Sequence, residues 1–422
     1  MGLSTQILGI TLGWLAVGWV AFQAVTFAGR TVRCRMTSQR EYARKRTEFG
    51  RRVQAAARAA RATKAIPDWQ GWRPFRVVAV VDEARDVKSF YFAPVDGRPL
   101  SPFAPGQYLT FRLAVDHRDS LLVRCYSLSD RPRQDYYRIT VKRIGMPPGR
   151  ADLAPGRGSG FLHDRVRVGD VLELRAPAGT FILDPLGTEP VVLVGAGIGV
   201  TPLLSMLEAI VHAARQREVY AVLGFRSGAE HPFKAYLEKL AETEPQLHLQ
   251  VSYSAPRASD VLYRDFNHRG RITIERLREV LPSNNFRFYV CGPAAMMESL
   301  VPALWAWGVP ESHVHFEAFG PASVKVARAG RPPTQCLEPS EVRFERSGRA
   351  ATWDGGFASL LEFGEAAGVS MPSGCRAGSC GECMMAVRSG TVATIKQPSI
   401  PVPTGHCLTC ISVPQGAVVL EA

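Results

Sequence analysis

The stretch VVLVGAGIGVTPLLSMLEAIVHAARQ, residues 191–216, organises the reading of the chain. Its first residues read as a fully buried strand, Gly195, Gly197 and Gly199 as a tight turn, and the run after Thr201-Pro202 as a helix. A glycine turn that opens a helix lets backbone N–H groups approach the phosphates of a dinucleotide, with the positive helix end facing them. Thr-Pro displaces the third small position of the familiar GxGxxG, so the turn is weak evidence by itself. VYAVLGFR (219–226), LHLQVSYSA (247–255) and FRFYVCGP (286–293) continue the strand series. Together they predict an α/β doubly wound parallel sheet over residues 186–325.

Upstream the texture changes. FRVVAVVDE (75–83), VKSFYFAP (87–94), GQYLTFRLAV (106–115), LLVRCYSLSD (121–130), YYRITVKRI (136–144) and VLELRAPAG (171–179) are short alternating runs separated by turns. They predict an antiparallel β-barrel over residues 72–185. In Arg124-Cys125-Tyr126-Ser127, strand alternation puts Arg124 and Tyr126 on one face. A flavin needs a cation for phosphate, an aromatic face for its ring system and a hydroxyl near N5, and these residues supply all three. Gln107 and Tyr108 precede them. Gly158 and Ser159, in GRGSG (156–160), open a helical turn whose N–H groups and hydroxyl suit a pyrophosphate.

Downstream, a linker over residues 326–338 leads to an α+β module, 339–422. Its Cys375, Cys380 and Cys383 have the spacing C-x4-C-x2-C, with Cys407 and Cys410 behind them. Thiolates converging from one glycine-rich loop at this spacing predict a [2Fe–2S] cluster rather than zinc, which favours paired knuckles. Spacing leaves the fourth ligand open between Cys407 and Cys410. Nine cysteines clustered in this way do not form a disulfide framework and point to a reducing compartment.

Residues Ile7 to Gly29 carry no charge over 23 residues, which as a helix measures ~34 Å and is long enough to span a bilayer. The expected fold class therefore begins with a single N-terminal transmembrane helix, residues 1–29. A cleaved signal peptide is disfavoured because no Lys or Arg precedes the run. A basic juxtamembrane helix or linker follows over residues 30–71. Between Arg30 and Lys64 there are twelve Lys or Arg against two acids, about ten of the formal +13. The charge is thus local, and nucleic acid is not an expected partner. The positive flank predicts an inner-membrane, single-pass protein with its soluble modules in the cytoplasm.

Three motif sets resemble known families. SGCRAGSCGECMMAV (373–387) with CLTC (407–410) looks like plant-type ferredoxins, whose β-grasp-like fold takes its last ligand from a Leu-Thr-Cys run; this implies Cys410. The barrel and nucleotide motifs resemble the ferredoxin–NADP⁺ reductase superfamily, near the reductase portion of flavohemoglobins, with GxGxTP at residues 197–202. The resemblance implies FAD, or FMN as in phthalate dioxygenase reductase-type members, bound by Gln107, Tyr108, Arg124, Tyr126, Ser127, Gly158 and Ser159. It also implies a nicotinamide site of Gly195, Gly197, Gly199, Thr201, Pro202, Cys291, Gly292 and Pro293, with Glu317 and Phe319 closing over the flavin. Ser127, Cys291 and Glu317 are the implied catalytic residues. NADH is expected over NADPH because no Ser-Arg…Tyr arrangement follows the nucleotide strands.

The order of modules is similar to phthalate dioxygenase reductase. It implies hydride transfer to flavin, then single electrons through the cluster to a protein acceptor, expected at the lipid bilayer: an oxygenase, desaturase or haem protein. An electron-entry subunit of a larger membrane complex and a redox-sensing interaction protein are the alternatives.

Overall fold

The computed structural model describes residues 69, 71–115, 121–146, 155–213, 217–319, 339–376, 378, 380–395, 398 and 400–422, all within the compact unit Ala59–Ala422. Six antiparallel strands come first: β1 (Arg73–Ala84), β2 (Val87–Pro94), β3 (Tyr108–Leu113), β4 (Leu122–Ser127), β5 (Tyr137–Lys142) and β6 (Val171–Leu174), with helix α1 (Arg157–Asp164) between the last two. They order as β4-β3-β6-β1-β2-β5. A bridge between Leu128 and Ile139 joins the two outer strands and closes the sheet. Alternation decides what fills it. Phe75 and Val77 of β1, Phe90 and Phe92 of β2, and Leu109, Phe111 and Leu113 of β3 are buried in one core. Each such side chain contributes about 1.5–3 kcal/mol of transfer free energy.

The second sheet is wholly parallel, in the order β10-β9-β8-β7-β11-β12. Its strands are β7 (Val191–Ala196), β8 (Val219–Phe225), β9 (Leu247–Tyr253), β10 (His268–Arg269), β11 (Arg287–Pro293) and β12 (Val314–Phe319). Both faces of β7 are covered, as an apolar run without alternation requires. Val191 and Leu193 pack with Leu203, Leu204 and Leu207 of α2 (Val200–His212), whereas Val192 and Val194 pack with Met297 and Leu300 of α5 (Ala294–Ala306). Helices α3 (Lys234–Thr243) and α4 (Ile274–Val280) complete this domain.

The third domain has β13 (Ser340–Phe344), β14 (Arg349–Trp353), α6 (Leu360–Ala366), β15 (Met384–Ser389), β16 (Val392–Thr394), β17 (His406–Leu408), β18 (Ser412–Pro414) and β19 (Val418–Leu420). Five strands order as β14-β13-β19-β15-β17, and β16 pairs with β18. Leu360, Leu361 and Phe363 of α6 pack on Val342, Phe344 and Leu420.

The expected fold class needs one correction. Among the described residues no helix is long and apolar enough to cross a membrane, against the expected transmembrane helix; the described architecture is a barrel, a doubly wound sheet and a ferredoxin-like module. Local hydropathy had carried the expectation of a span. Its residues 1–29, the basic segment up to residue 68 and the linker 326–338 lie outside the described residues.

A buried ionic joint fastens the barrel to the parallel sheet. Arg138 of β5 lies between Asp130 (3.8 Å) and Glu208 of α2 (3.4 Å). The Arg131 N–H donates to Glu208 (3.2 Å), and the Ser205 hydroxyl donates to the Asp130 carbonyl (2.7 Å). Burial raises the Glu208 carboxyl to about 8, and its side chain hydrogen-bonds Asp130. Asp130 is held well below the ordinary carboxylate range, despite its own burial, chiefly by Arg138. Of the two acids, Glu208 is the one more readily protonated.

Arg138→Met leaves Asp130 without its main counter-charge, and chemical unfolding should show a loss of about 3–5 kcal/mol. The raised Glu208 carboxyl contributes stability that is complete below the ordinary carboxylate range and lost as pH rises toward about 8. Glu208→Gln keeps the donor and removes the titration. Its stability should therefore stay flat over that window, while the wild type declines.

Candidate functional site

Strand β4 serves two sites, one on each face. On the first face, a Cβ built on Gly158 would meet Arg124 Cγ at 3.0 Å, the Tyr126 hydroxyl at 3.0 Å and Leu122 Cδ2 at 3.5 Å. Residues 122, 124 and 126 thus converge on the first turn of α1, and only glycine leaves that space clear. Burial raises the Tyr126 phenol far above its ordinary value and lowers Arg124. Tyr126 is therefore a neutral aromatic surface beside a half-buried cation, set edge-on to Phe111 at 5.6 Å. These features fit the phosphate and ring of a flavin.

The other expected flavin residues sit close by. Ser127 is buried and pairs with Tyr108 across β3 and β4. Gln107 accepts from the Ala104 N–H (2.9 Å) and holds its own turn. Gly106, at φ +102°, has the Phe181 carbonyl standing where a Cβ would lie. The Ser159 hydroxyl accepts from the Ile144 N–H (3.1 Å) and donates to the Gly156 carbonyl (3.2 Å). It is engaged by its own loop, while the N–H groups of the first turn of α1 lack intrahelical partners, as at any helix start.

The glycine turn follows β7 as a short helix, Gly197–Gly199, that runs into α2. Gly197 has φ +56°, and a Cβ there would face open space, a backbone approach free of side chains. Gly199 is at the opposite limit, with the Cys291 carbonyl occupying the place its Cβ would take. A Cβ on Gly195 would meet Leu203 at 2.7 Å, and one on Gly292 would meet Met296 at 2.7 Å. The Thr201 hydroxyl donates to the Ile198 carbonyl (2.9 Å), and Pro202 is buried in the first turn. Cys291 is fully buried and in register with Gly195 and Glu317. Burial first, then the Glu317 charge, keeps its thiol protonated. Pro293 caps α5. Phe319 ends β12, and its side chain lies outside the described residues. Barrel strand β5 packs against the glycine turn, which brings the two expected cofactor sites together.

The cysteines fall into pairs. The Cys375 N–H donates to Cys380 Sγ (3.2 Å) and the Cys380 N–H donates to Cys375 Sγ (3.3 Å); the Cys383 and Cys410 sulfurs are 3.1 Å apart. Two pairs of thiols are the donor set of a two-iron cluster, two per iron. Among the described residues no cluster of three or more His, Cys, Asp or Glu side chains is arranged to hold a metal ion. Cys407 stands beside this quartet. Burial pushes its thiol up to about 12.

The second face of β4 receives the cluster loop. A Cβ on Gly374 would lie 2.9 Å from Cys380 Sγ and 3.3 Å from Val123 Cγ1. Cys125, two residues after Val123 on the same strand, lies on this face too. Arg175, after β6, donates to the Cys380 carbonyl (2.6 Å) and pairs with Glu382 (2.8 Å). Sequence reasoning missed Arg175, and it gave Cys125 no role. Cys125 lay in plain view at the odd position of a motif whose even positions drew attention. Arg175 carried no signal beyond a charge after a strand.

Three family descriptions match the chain in order. An oxidoreductase FAD-binding domain covers residues 74–182, an oxidoreductase NAD-binding domain 193–301, and a 2Fe-2S iron–sulfur cluster binding domain 342–415. A flavohemoprotein of Halalkalibacterium halodurans is 38% identical over 255 residues, 60% of this chain and 61% of that protein. The chain thus spans about three fifths of the length of the curated relatives it matches. The FAD/NAD-binding domain of nitric oxide dioxygenase from Vibrio cholerae is 34% identical with a TM-score of 0.53, covering 59% of this chain and 99% of that domain. Phthalate dioxygenase reductase, solved as a modular structure for electron transfer from pyridine nucleotides to [2Fe-2S], is 25% identical with a TM-score of 0.50. That match covers 83% of this chain and 98% of the other.

Tyr126→Ala opens the space against α1, and retained flavin should fall at least about tenfold in affinity, near 1.4 kcal/mol, by absorbance after gel filtration. Gly199→Ala drives a methyl into the Cys291 carbonyl. Its KM for the nicotinamide dinucleotide should rise several-fold while flavin content stays at the wild-type level.

Proposed function

Starting from an NAD(P)H-dependent flavin and iron–sulfur oxidoreductase that uses FAD, a nicotinamide dinucleotide and a [2Fe–2S] cluster, we propose that this chain passes electrons singly to a separate protein acceptor, an oxygenase, desaturase or haem protein. The observation that carries the reading is the two-faced strand β4. Leu122, Arg124 and Tyr126 face the turn at Gly158, while Val123 and Cys125 face the loop that carries Cys375 and Cys380. Flavin and cluster sites on opposite faces of one strand form a relay rather than two independent sites.

When bound, FAD accepts a hydride as an electron pair and the cluster carries electrons away one at a time. The chain's part is to bind and orient. Arg124 neutralises phosphate charge, Tyr126 presents its face to the ring system, and Ser127 offers a hydroxyl at the edge of the flavin. The turn Gly195–Thr201 takes the dinucleotide phosphates on free backbone, and Gly199 lets it seat against Cys291. The uncharged Cys291 thiol and Glu317 border the place for the nicotinamide ring, with Gly292 and Pro293 shaping its margin. Cys375, Cys380, Cys383 and Cys410 would hold the two irons, the first pair on one and the second pair on the other.

NADH is the preferred donor in this reading. Arg226, after β8, lies 3.9 Å from the Glu230 carboxylate. The Asp260 carboxylate accepts from the Gly228 N–H (3.2 Å) and the Arg257 N–H (2.8 Å). The Glu230 and Asp260 carboxylates in the loops after β8 and β9 oppose the charge of a 2′-phosphate there.

Adding NADH anaerobically should bleach the flavin and produce the EPR signal of a reduced [2Fe–2S] cluster. NADPH should be the poorer donor in kcat/KM. Cys380→Ser should abolish reduction of a one-electron protein acceptor yet leave flavin bleaching intact. Loss of bleaching in that variant, with the fold intact, would break the relay.

A further inference from the structure

Arg175, the residue after β6, reaches out of the barrel and closes on the loop that carries the cysteines. Its backbone N–H donates to the Thr110 carbonyl of β3 (2.9 Å), which roots it in the barrel. One arm of its guanidinium donates to the Cys380 carbonyl (2.6 Å), and the other pairs with the Glu382 carboxylate (2.8 Å). Both contacts fall inside the run from Cys375 to Cys383, and Glu382 stands between its last two cysteines. The Trp72 ring lies beneath this guanidinium at 4.5 Å and beneath that of Arg112 at 4.2 Å. Arg112 is itself paired with Glu173 of β6 (3.1 Å). A cation is attracted to an indole face, so Arg175 is set in place from within the barrel. The loop has separate support for its own shape. Arg376 donates to Glu365 of α6 (2.9 Å), and the Cys375 and Cys380 N–H groups donate to each other's sulfurs. Thr409 donates from both its N–H and its hydroxyl to the Cys383 carbonyl, each at 3.1 Å. Those bonds close within the ferredoxin-like module, whereas the bonds of Arg175 cross from one module to the other.

We propose that Arg175 is a positioning residue for electron transfer inside the chain: a cation of the flavin barrel, steadied on Trp72, that grips the cluster loop at Cys380 and Glu382 and holds it at its working distance from the flavin. The inference deepens the relay reading and rests on it, since it takes Cys380 as an iron ligand and β4 as the strand of the flavin. A carbonyl and a carboxylate held by one planar fork are fixed in orientation as well as separation, which a single point charge does not achieve. The two side chains are 33% and 16% exposed, so salt screens the pair less than it screens a surface pair. The loop also has little room to move. A Cβ on Gly374 would lie 3.3 Å from Val123 Cγ1, so a tilt of the module toward β4 is blocked by contact. A tilt away opens a gap, and the grip of Arg175 opposes it. The step served moves one electron from reduced flavin to oxidised cluster, and no bond to Arg175 forms or breaks.

The test compares Arg175→Gln with the wild type, each as the full chain with its cofactors. On anaerobic single-turnover mixing with NADH, the flavin should bleach at the wild-type rate. Reduction of the cluster should slow about ten- to a hundredfold, the scale of loss from a misplacement of ~1 Å. EPR-monitored titration should give unchanged flavin and cluster potentials. Hydrogen exchange, read without turnover, should rise in the loop of Cys380 while the interior of each module stays protected. Arg175→Lys keeps the charge but not the fork and should recover part of the rate. Exchanging the partners, Arg175→Glu with Glu382→Arg, should recover rate and protection relative to Arg175→Glu alone. If Arg175→Gln loses its cluster, Glu382→Gln cuts the same pair from the other side and repeats the measurement. A wild-type rate of cluster reduction in a variant without the pair overturns the inference, whatever the exchange shows. Slow transfer with a shifted cluster potential, or with unchanged exchange, overturns it too, because Arg175 would then act other than through placement. A wild-type protein with no reduced [2Fe–2S] signal overturns the reading of function beneath it, and the two failures are told apart by that signal.

Discussion

Transfer between two bound rings tolerates little slack, and the barrel and parallel sheet that carry those rings meet across a charged joint. Arg138, fully enclosed, reaches Asp130 in its own domain and Glu208 in the other. Taking these charges out of water offsets much of their mutual attraction, so the joint is not a large source of net stability. It supplies orientation. Removing Arg138 leaves Asp130 buried without its main counter-charge, which penalises relative placements of the two domains that separate them. Ser205 and Glu208 lie on α2, the helix that the glycine turn opens. The residues that fix the domains and those that receive phosphates are therefore parts of one rigid element.

The same economy governs β4. A strand exposes successive side chains to opposite sides, and here both sides have chemical work. Leu122, Arg124 and Tyr126 border the turn at Gly158, while Val123 meets Gly374 of the cluster loop. A shift of register by one residue exchanges the two faces and destroys both sites together. Pairing with β3 from Tyr108 to Leu113 resists such a shift, because Phe111 and Leu113 are locked in the barrel core. Packing in the barrel thus helps determine where the loop of Cys380, 205 residues downstream of Arg175, finds its contact.

Legibility in sequence followed the range of the interaction. The strand–turn–helix at 191–212, the alternation that brings Arg124 and Tyr126 to one face and the spacing of Cys375, Cys380 and Cys383 are local patterns, and local patterns survive in a string of letters. Cys410 needed a resemblance to single it out from Cys407. In space the two are distinct, since the Cys410 sulfur lies beside that of Cys383 while Cys407 is a buried residue of β17 paired with Met385. Arg138, Glu208 and Arg175 were illegible for another reason. Each resembles an ordinary surface charge until a partner 70 or 205 residues away closes on it. The Ser159 hydroxyl had a local signal, but that signal did not reveal that Ile144 and Gly156 already engage it. The expected membrane helix rested on hydropathy of one segment, without any contact to test it.

Arg175 bridges modules that belong to a single polypeptide. Passage of an electron from barrel to ferredoxin-like module is therefore a first-order event, as fast in a dilute solution as in a crowded one, because the loop of Cys380 meets its donor at an effective concentration set by the chain and not by the vessel. Delivery onward to another protein has no such protection and slows with dilution. On the proposed function, reducing equivalents would accumulate within the molecule when acceptor is scarce, and the chain would act as a small reservoir whose outflow, not its filling, responds to the abundance of its partner.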